Sequence, residues 1–137
     1  MGAALDAVVN VWALLDAGNY GELGRWFNPD AQFRSRGEPI GGLAEVTGYW
    51  QATARSFPDL RREIVDYLET PDAIALEVRA TGTNTGPLTG AGGDVPATGR
   101  VCAFESIALV RLRDGKISQW HDVHDQLGML RQLGMLG

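Results

Sequence analysis

The chain of 137 residues has a single cysteine, Cys102, which excludes an internal disulfide and reads as a small buried apolar residue. It has no run of basic residues and a net charge of −5, so neither nucleic acid nor a membrane surface is an expected partner. No CxxC, HExxH, GxxxxGKS/T, GxSxG or GxGxxG pattern occurs. Metal, nucleotide and serine-nucleophile chemistry have no motif to stand on, and no cofactor is expected. Long apolar runs are missing too, since the opening stretch MGAALDAVVNVWALLD is interrupted by Asp6, Asn10 and Asp16 and lacks a basic cluster. It reads as neither a signal peptide nor a membrane span, and a cytoplasmic location is the default expectation. Histidine is scarce as well: both residues fall within the segment His121, Asp122, Val123, His124, Asp125.

What is present is the ordinary balance of a globular chain, with 45% hydrophobic and 21% charged residues. At this length a single domain spanning residues 1–137 can bury roughly two-thirds of its unfolded surface and enclose a modest cavity. Helical patterns come first. Leu5, Val8, Trp12 and Leu15 recur at helical spacing until Gly18 and Asn19, and a short helix is expected from Tyr20 to Trp26. Asn28 and Pro29 open a strand with Ala31 and Phe33 on one face, and Leu43, Val46, Trp50 and Phe57 stripe a third helix closed by Pro58. Strands follow over Arg61 to Leu68 and Ile74 to Thr85, about a turn at Pro71 and Asp72. Gly86 to Gly99 (GPLTGAGGDVPATG) reads as a long loop, either flexible or closing over a site. Helices followed by a strongly curved antiparallel or mixed sheet predict an α+β domain, a cone whose helices pack on one sheet face and leave a pocket.

The Asp-Gly turn at Asp114 and Gly115 predicts a hairpin between a strand from Val101 and the segment from Lys116 to Asp125. With a two-residue turn, Arg113 pairs with Lys116, Ala108 with His121, Ser106 with Val123 and Phe104 with Asp125. Strict alternation then places Gln119, His121, Val123 and Asp125 inside, on the face of Cys102, Phe104, Val110, Leu112 and Ile117. Ser118, Trp120, Asp122 and His124 fall outside with Glu105, Ile107, Leu109 and Arg111. A carboxylate against an apolar wall has a raised pKa and exchanges protons near neutrality, which nominates Asp125 as an acid/base group. The competing reading makes Asp125 the N-cap of a helix starting at Gln126.

Several segments in order, FPDL (Phe57 to Leu60), TGTNTGPL (Thr81 to Leu88), VPATGR (Val95 to Arg100), DGKI (Asp114 to Ile117) and DQLGMLRQLG (Asp125 to Gly134), resemble the signatures of SnoaL-like polyketide cyclases. These belong to the nuclear transport factor two-like superfamily of cystatin-like α+β barrels. The resemblance implies a cone, usually dimeric through its sheet, and cofactor-free ring closure by intramolecular aldol condensation with an aspartate as general acid/base. The aspartate before the LGxLxQLG tail corresponds to Asp125. Family members often carry histidine where this chain has Asn84, and an aromatic residue where it has His121.

On that basis Asp125, His121 and Asn84 are the candidate catalytic residues. Asp125 would remove a proton next to a carbonyl of a polyketide substrate, and His121 or Asn84 would hydrogen-bond the developing oxyanion. Trp12, Tyr49, Trp50, Phe104, Ser106 and Gln119 are the candidate substrate contacts, although Trp12 and Trp50 also fit core stripes. Alternatives are an epoxide hydrolase, an epoxide-opening cyclase, a hydroxylase, or a non-catalytic small-molecule-binding dimer. Arg79 and Glu77 alternate away from the apolar face, which disfavours an Asp-Arg-Asp hydrolase network. Ile107, Leu109 and Trp120 on the outer face would support a homodimer.

Overall fold

Helix α1 (Ala3–Ala17) buries Ala4, Leu5, Ala7, Val8, Val11 and Leu15, a stripe at the three- and four-residue spacing its sequence carries. The computed structural model describes residues 2–35, 38–90 and 93–136. The free amides at the start of α1 are met by a distant carboxylate, with Glu69 accepting from Gly2 N–H at 3.2 Å and Leu5 N–H at 2.9 Å. Gly18 ends the helix in the left-handed conformation at φ 73°, and a 3₁₀ helix (Tyr20–Arg25) follows. Helix α2 (Leu43–Ser56) buries Val46 and Trp50 on its inner stripe. Among the described residues no helix is long and apolar enough to cross a membrane.

The strands are β1 (Phe27–Ser35), β2 (Glu38–Gly41), β3 (Arg61–Thr70), β4 (Ala73–Thr83), β5 (Leu88–Gly90), β6 (Gly93–Val95), β7 (Val101–Arg113) and β8 (Lys116–His124). Six of them form one sheet in the order β2-β1-β8-β7-β4-β3, antiparallel except for the parallel pair β1 and β8. The expected α+β architecture with helices on one face of a mixed, curved sheet is therefore present. Irregular register in the β1–β2, β1–β8, β3–β4 and β7–β8 pairs bends the strands, because a bulge adds local twist. Phe27, Phe33, Trp50 and Trp120 fill the hollow this creates. Trp50 meets Trp120 edge-on at 5.6 Å and Phe33 edge-on at 6.3 Å, the geometry aromatic quadrupoles favour.

Gly86 to Gly99 is more than a loop, since β5 and β6 within it pair as a small hairpin. Helix α3 (Gln126–Gln132) packs Met129 against Phe57 and Cys102, and Leu133 just beyond it joins the same buried cluster. The Gln132 amide pairs with the main chain of β7 like a strand, accepting from Ala103 N–H at 2.7 Å and donating to Ala103 C=O at 2.6 Å.

Asp59 ties the turn before β3 to the end of β4. Its carboxylate accepts from Thr83 N–H at 2.6 Å and Thr83 Oγ1 at 2.8 Å, which holds the Asp59 carboxyl below its ordinary value. A group depressed on folding stabilises fully above its unfolded value and loses that contribution as pH falls through the folded one. Asp59→Asn is accordingly expected to lose less stability than the parent between about pH 7 and pH 3, measured by chemical denaturation at each pH. Equal acid sensitivity in both proteins would remove Asp59 as a contributor.

Candidate active site

Arg113 pairs with Lys116 and Leu112 with Ile117, as a two-residue turn dictates, but Arg111 then pairs with Gln119. Ser118 is the extra residue of a bulge, and it inverts everything that follows. Beyond it Val110 opposes Trp120, Ala108 opposes Asp122 and Ser106 opposes His124. Alternation does not survive a bulge, so Ile117 and Trp120 are both buried although three positions apart.

The expected facing is thus corrected for β8, while that of β7 stands with Cys102, Ala108 and Val110 buried. Trp120, expected outside, is 5% exposed in the aromatic cluster. Asp122 and His124, also expected outside, line the cavity. Gln119, His121 and Val123 alternate to the opposite face, where Val123 is 50% exposed. His121 pairs with Leu109 and Arg34, and its Nε2 is buried without a hydrogen-bond partner among the described residues.

Asp125 is exposed and acts as the N-cap of α3, accepting from Gly128 N–H at 2.9 Å. A Cβ at Gly128 would collide with the Asp125 carboxylate in its capping position, so the cap favours glycine there. The DQLGMLRQLG segment is an anchoring device throughout, with Asp125 capping, Gly128 making room, Met129 and Leu133 buried, Gln132 pairing with β7 and Gly134 turning at φ 74°.

Asn84 is fully buried and does not line the cavity. Its amide donates to Ser56 C=O at 3.2 Å and Gly86 C=O at 2.9 Å, and accepts from Thr98 N–H at 2.8 Å and Thr98 Oγ1 at 2.9 Å. Two donors and two lone pairs are all that a carboxamide offers, so none remains for a developing oxyanion. Asn84 instead clasps both roots of the β5–β6 hairpin to the end of α2. Leu88, Thr89 and Val95 of that hairpin reach the cavity wall.

The cavity has a volume of about 580 Å³ and is walled mainly by apolar and aromatic side chains of α2, α3 and the inner sheet face. Such a volume suits a ligand of several fused rings. Trp12, Tyr49, Trp50, Phe104 and Ser106 all line it, and Gln119 does not. Its titratable side chains are Tyr49, Arg62, Asp122 and His124. Ser35, itself buried, donates to Asp122 Oδ1 at 2.9 Å, which fixes one carboxylate oxygen. His124 Nε2 lies 2.6 Å from Gln126 Oε1, so that nitrogen donates, and Phe104 packs against the ring at 6.1 Å. Asp122 and His124 are two residues apart on one face, a backbone separation of roughly 7 Å. Among the described residues no cluster of histidine, cysteine, aspartate and glutamate could hold a metal ion.

One signal in the sequence pointed to this pair. Trp120 is the bulkiest residue of its strand, and seating it inside carries Asp122 and His124 with it.

The family model for SnoaL-like polyketide cyclase matches residues 3–133. The chain belongs to the SnoaL-like polyketide cyclase family. Within curated proteins of known name, aklanonic acid methyl ester cyclase DnrD of Streptomyces peucetius is 39% identical over 72 residues, which are 53% of this chain and 47% of that protein. The chain thus spans about half the length of the curated relatives it matches. Among solved structures, IdmH of Streptomyces antibioticus, a candidate polyketide cyclase, is 28% identical with a TM-score of 0.79, covering 94% of this chain and 96% of that one. AclR of Streptomyces galilaeus, a candidate hydroxylase, shares the fold at a TM-score of 0.82 and 23% identity, covering 96% of this chain and 85% of that one. Proteins of this one fold thus carry different reaction names, so the reaction has to be argued from the cavity.

Proposed function

We propose that this chain is a cofactor-independent cyclase that closes a ring in a polyketide-type substrate, with Asp122 and His124 as its acid/base pair. The observation that carries the reading is the position of these two side chains, which β8 presents side by side in an otherwise largely apolar cavity. The resemblance to aklanonic acid methyl ester cyclases over part of the chain supports a polyketide ester as substrate.

In this reading the Asp122 carboxylate takes a proton from a carbon between two carbonyl groups. The enolate carbon forms a bond to a second carbonyl carbon of the same molecule, and the alkoxide so formed is protonated from His124. Asp122 then returns its proton to the imidazole through solvent, so the product is an isomer of the substrate and no external oxidant or reductant enters. Ser35 holds Asp122 and Gln126 holds His124, and the aromatic walls keep the chain folded with its ends close. Incubation with an aklanonic-acid-type methyl ester tests the reading. A ring-closed isomer is expected by chromatography, and substrate recovered unchanged, with no exchange of its acidic proton for solvent deuterium, would overturn it.

We also propose a homodimer through the outer sheet face. There Ile107 is 57% and Val123 is 50% exposed, and the two pair across β7 and β8. Sedimentation of Ile107→Asp beside the parent checks this; a dimeric parent and a monomeric variant are expected, and a monomeric parent would end the proposal.

A further inference from the structure

The cavity has a second pole that the ring-closing chemistry does not use. Arg62 on β3 lines it, paired through the backbone with buried Ala80 of β4, which in turn pairs with Phe104 of β7. Three strand spacings separate Arg62 from β8, roughly 14 Å measured along the sheet. The Arg62 side chain is 16% exposed, and among the described residues its one ion-pair partner is Asp16 at 3.3 Å. Asp16 is itself 61% exposed at the solvent end of α1, so water screens most of what it offers. A guanidinium keeps its charge and presents five donors in a planar fork, of which the Asp16 contact engages one terminal nitrogen. Burial pushes the Arg62 guanidinium below its ordinary value, desolvation outweighing the attraction of Asp16 and Tyr20. Arg62 also lines a smaller pocket with Asp16, Tyr20 and Asp59, so its side chain forms part of the wall between that pocket and the cavity.

We infer that Arg62 is an anion subsite that selects ligands bearing an ionised acidic oxygen, a carboxylate in the first instance, at the end remote from Asp122 and His124. The inference rests on the cavity being the substrate pocket, and it deepens that reading by giving the polyketide ester, whose ester group belongs to the reacting end, a separate ionised oxygen held at the other end. A carboxylate receives two parallel N–H donors from a guanidinium, in surroundings where water no longer competes. An ester at the same place gains a neutral hydrogen bond only. Asp16 competes for the same cation, so its removal should strengthen the subsite.

The test uses anthraquinone-carboxylic acid and its methyl ester, titrated calorimetrically at neutral pH. The acid is expected to bind the parent at least about ten-fold more tightly than the ester, the scale of one charge-assisted contact. In Arg62→Gln that preference should fall within about two-fold while ester affinity holds; in Arg62→Lys part of it should remain. Asp16→Asn should tighten acid binding several-fold and leave the ester unchanged, a gain that loss of structure cannot imitate and that is read even if Arg62→Gln does not fold. Equal affinities for acid and ester in the parent, binding of neither, or an unaltered preference in Arg62→Gln would each overturn the subsite. The Asp122→Asn protein separates this from the ring-closing reading. It should keep the acid preference while losing turnover, so turnover retained there sinks the catalytic assignment and leaves the subsite standing.

Discussion

Asp122→Asn is expected to lower turnover of a polyketide ester by about 10²–10⁴-fold, the usual contribution of a positioned proton-transfer group. In barrier terms that is about 3–5 kcal/mol. The amide keeps the shape of the side chain and can still bond Ser35 Oγ, so the fold and ligand affinity should be retained. The informative control is the neighbouring carboxylate. Asp125→Asn replaces one good N-cap by another, and both stability and turnover should stay close to the parent. Asp125→Ala should cost about 1 kcal/mol of stability with turnover intact, because the Gly128 N–H loses its acceptor. Turnover measured on purified, folded variants decides between the two aspartates. Activity retained by Asp122→Asn and lost by Asp125→Asn would reverse the assignment and require the last strand to present its other face.

Asn84→Leu is expected to be the most destabilising of the substitutions considered, by about 3–5 kcal/mol. Leucine fills nearly the same volume, so the cost is not a cavity. It comes from the buried Ser56 C=O and the half-buried Gly86 C=O and Thr98 N–H and hydroxyl losing their shared, fully buried partner. Each buried group left unsatisfied costs about 1–3 kcal/mol, with partial relief where the hairpin roots can shift toward water. Against a total stability of about 5–15 kcal/mol this should lower the melting temperature by roughly 10–20 °C. An oxyanion donor would behave differently, losing about 10²–10³ in rate with stability unchanged. Thermal unfolding of Asn84→Leu beside its turnover distinguishes the two, and an unshifted melting temperature would refute the clasp.

Much of the architecture was legible because its causes are local. The stripe of α1, the stop at Gly18, the Asp114–Gly115 turn and the inner face of β7 follow from side-chain period and turn chemistry. The cavity lining was legible in part, since Trp12, Tyr49, Trp50, Phe104 and Ser106 sit on its wall. Asp125 carried two readings in the sequence, and the cap won because α3 needs an acceptor at its start. The parallel pairing of β1 with β8 and the small β5–β6 hairpin left no comparable local mark.

By itself, then, the sequence determined the α+β class, the order of its helices and long strands, the hairpin of the last two strands and the presence of acid and imidazole groups on the last of them. Only the tertiary structure decided which of those groups enter the cavity. The face of β8 is set by packing Trp120 among Phe27, Phe33 and Trp50, residues far away in the chain. The bulge at Ser118 is what allows Ile117 and Trp120 both to be buried, and one extra residue in a strand of period two exchanges every side chain beyond it.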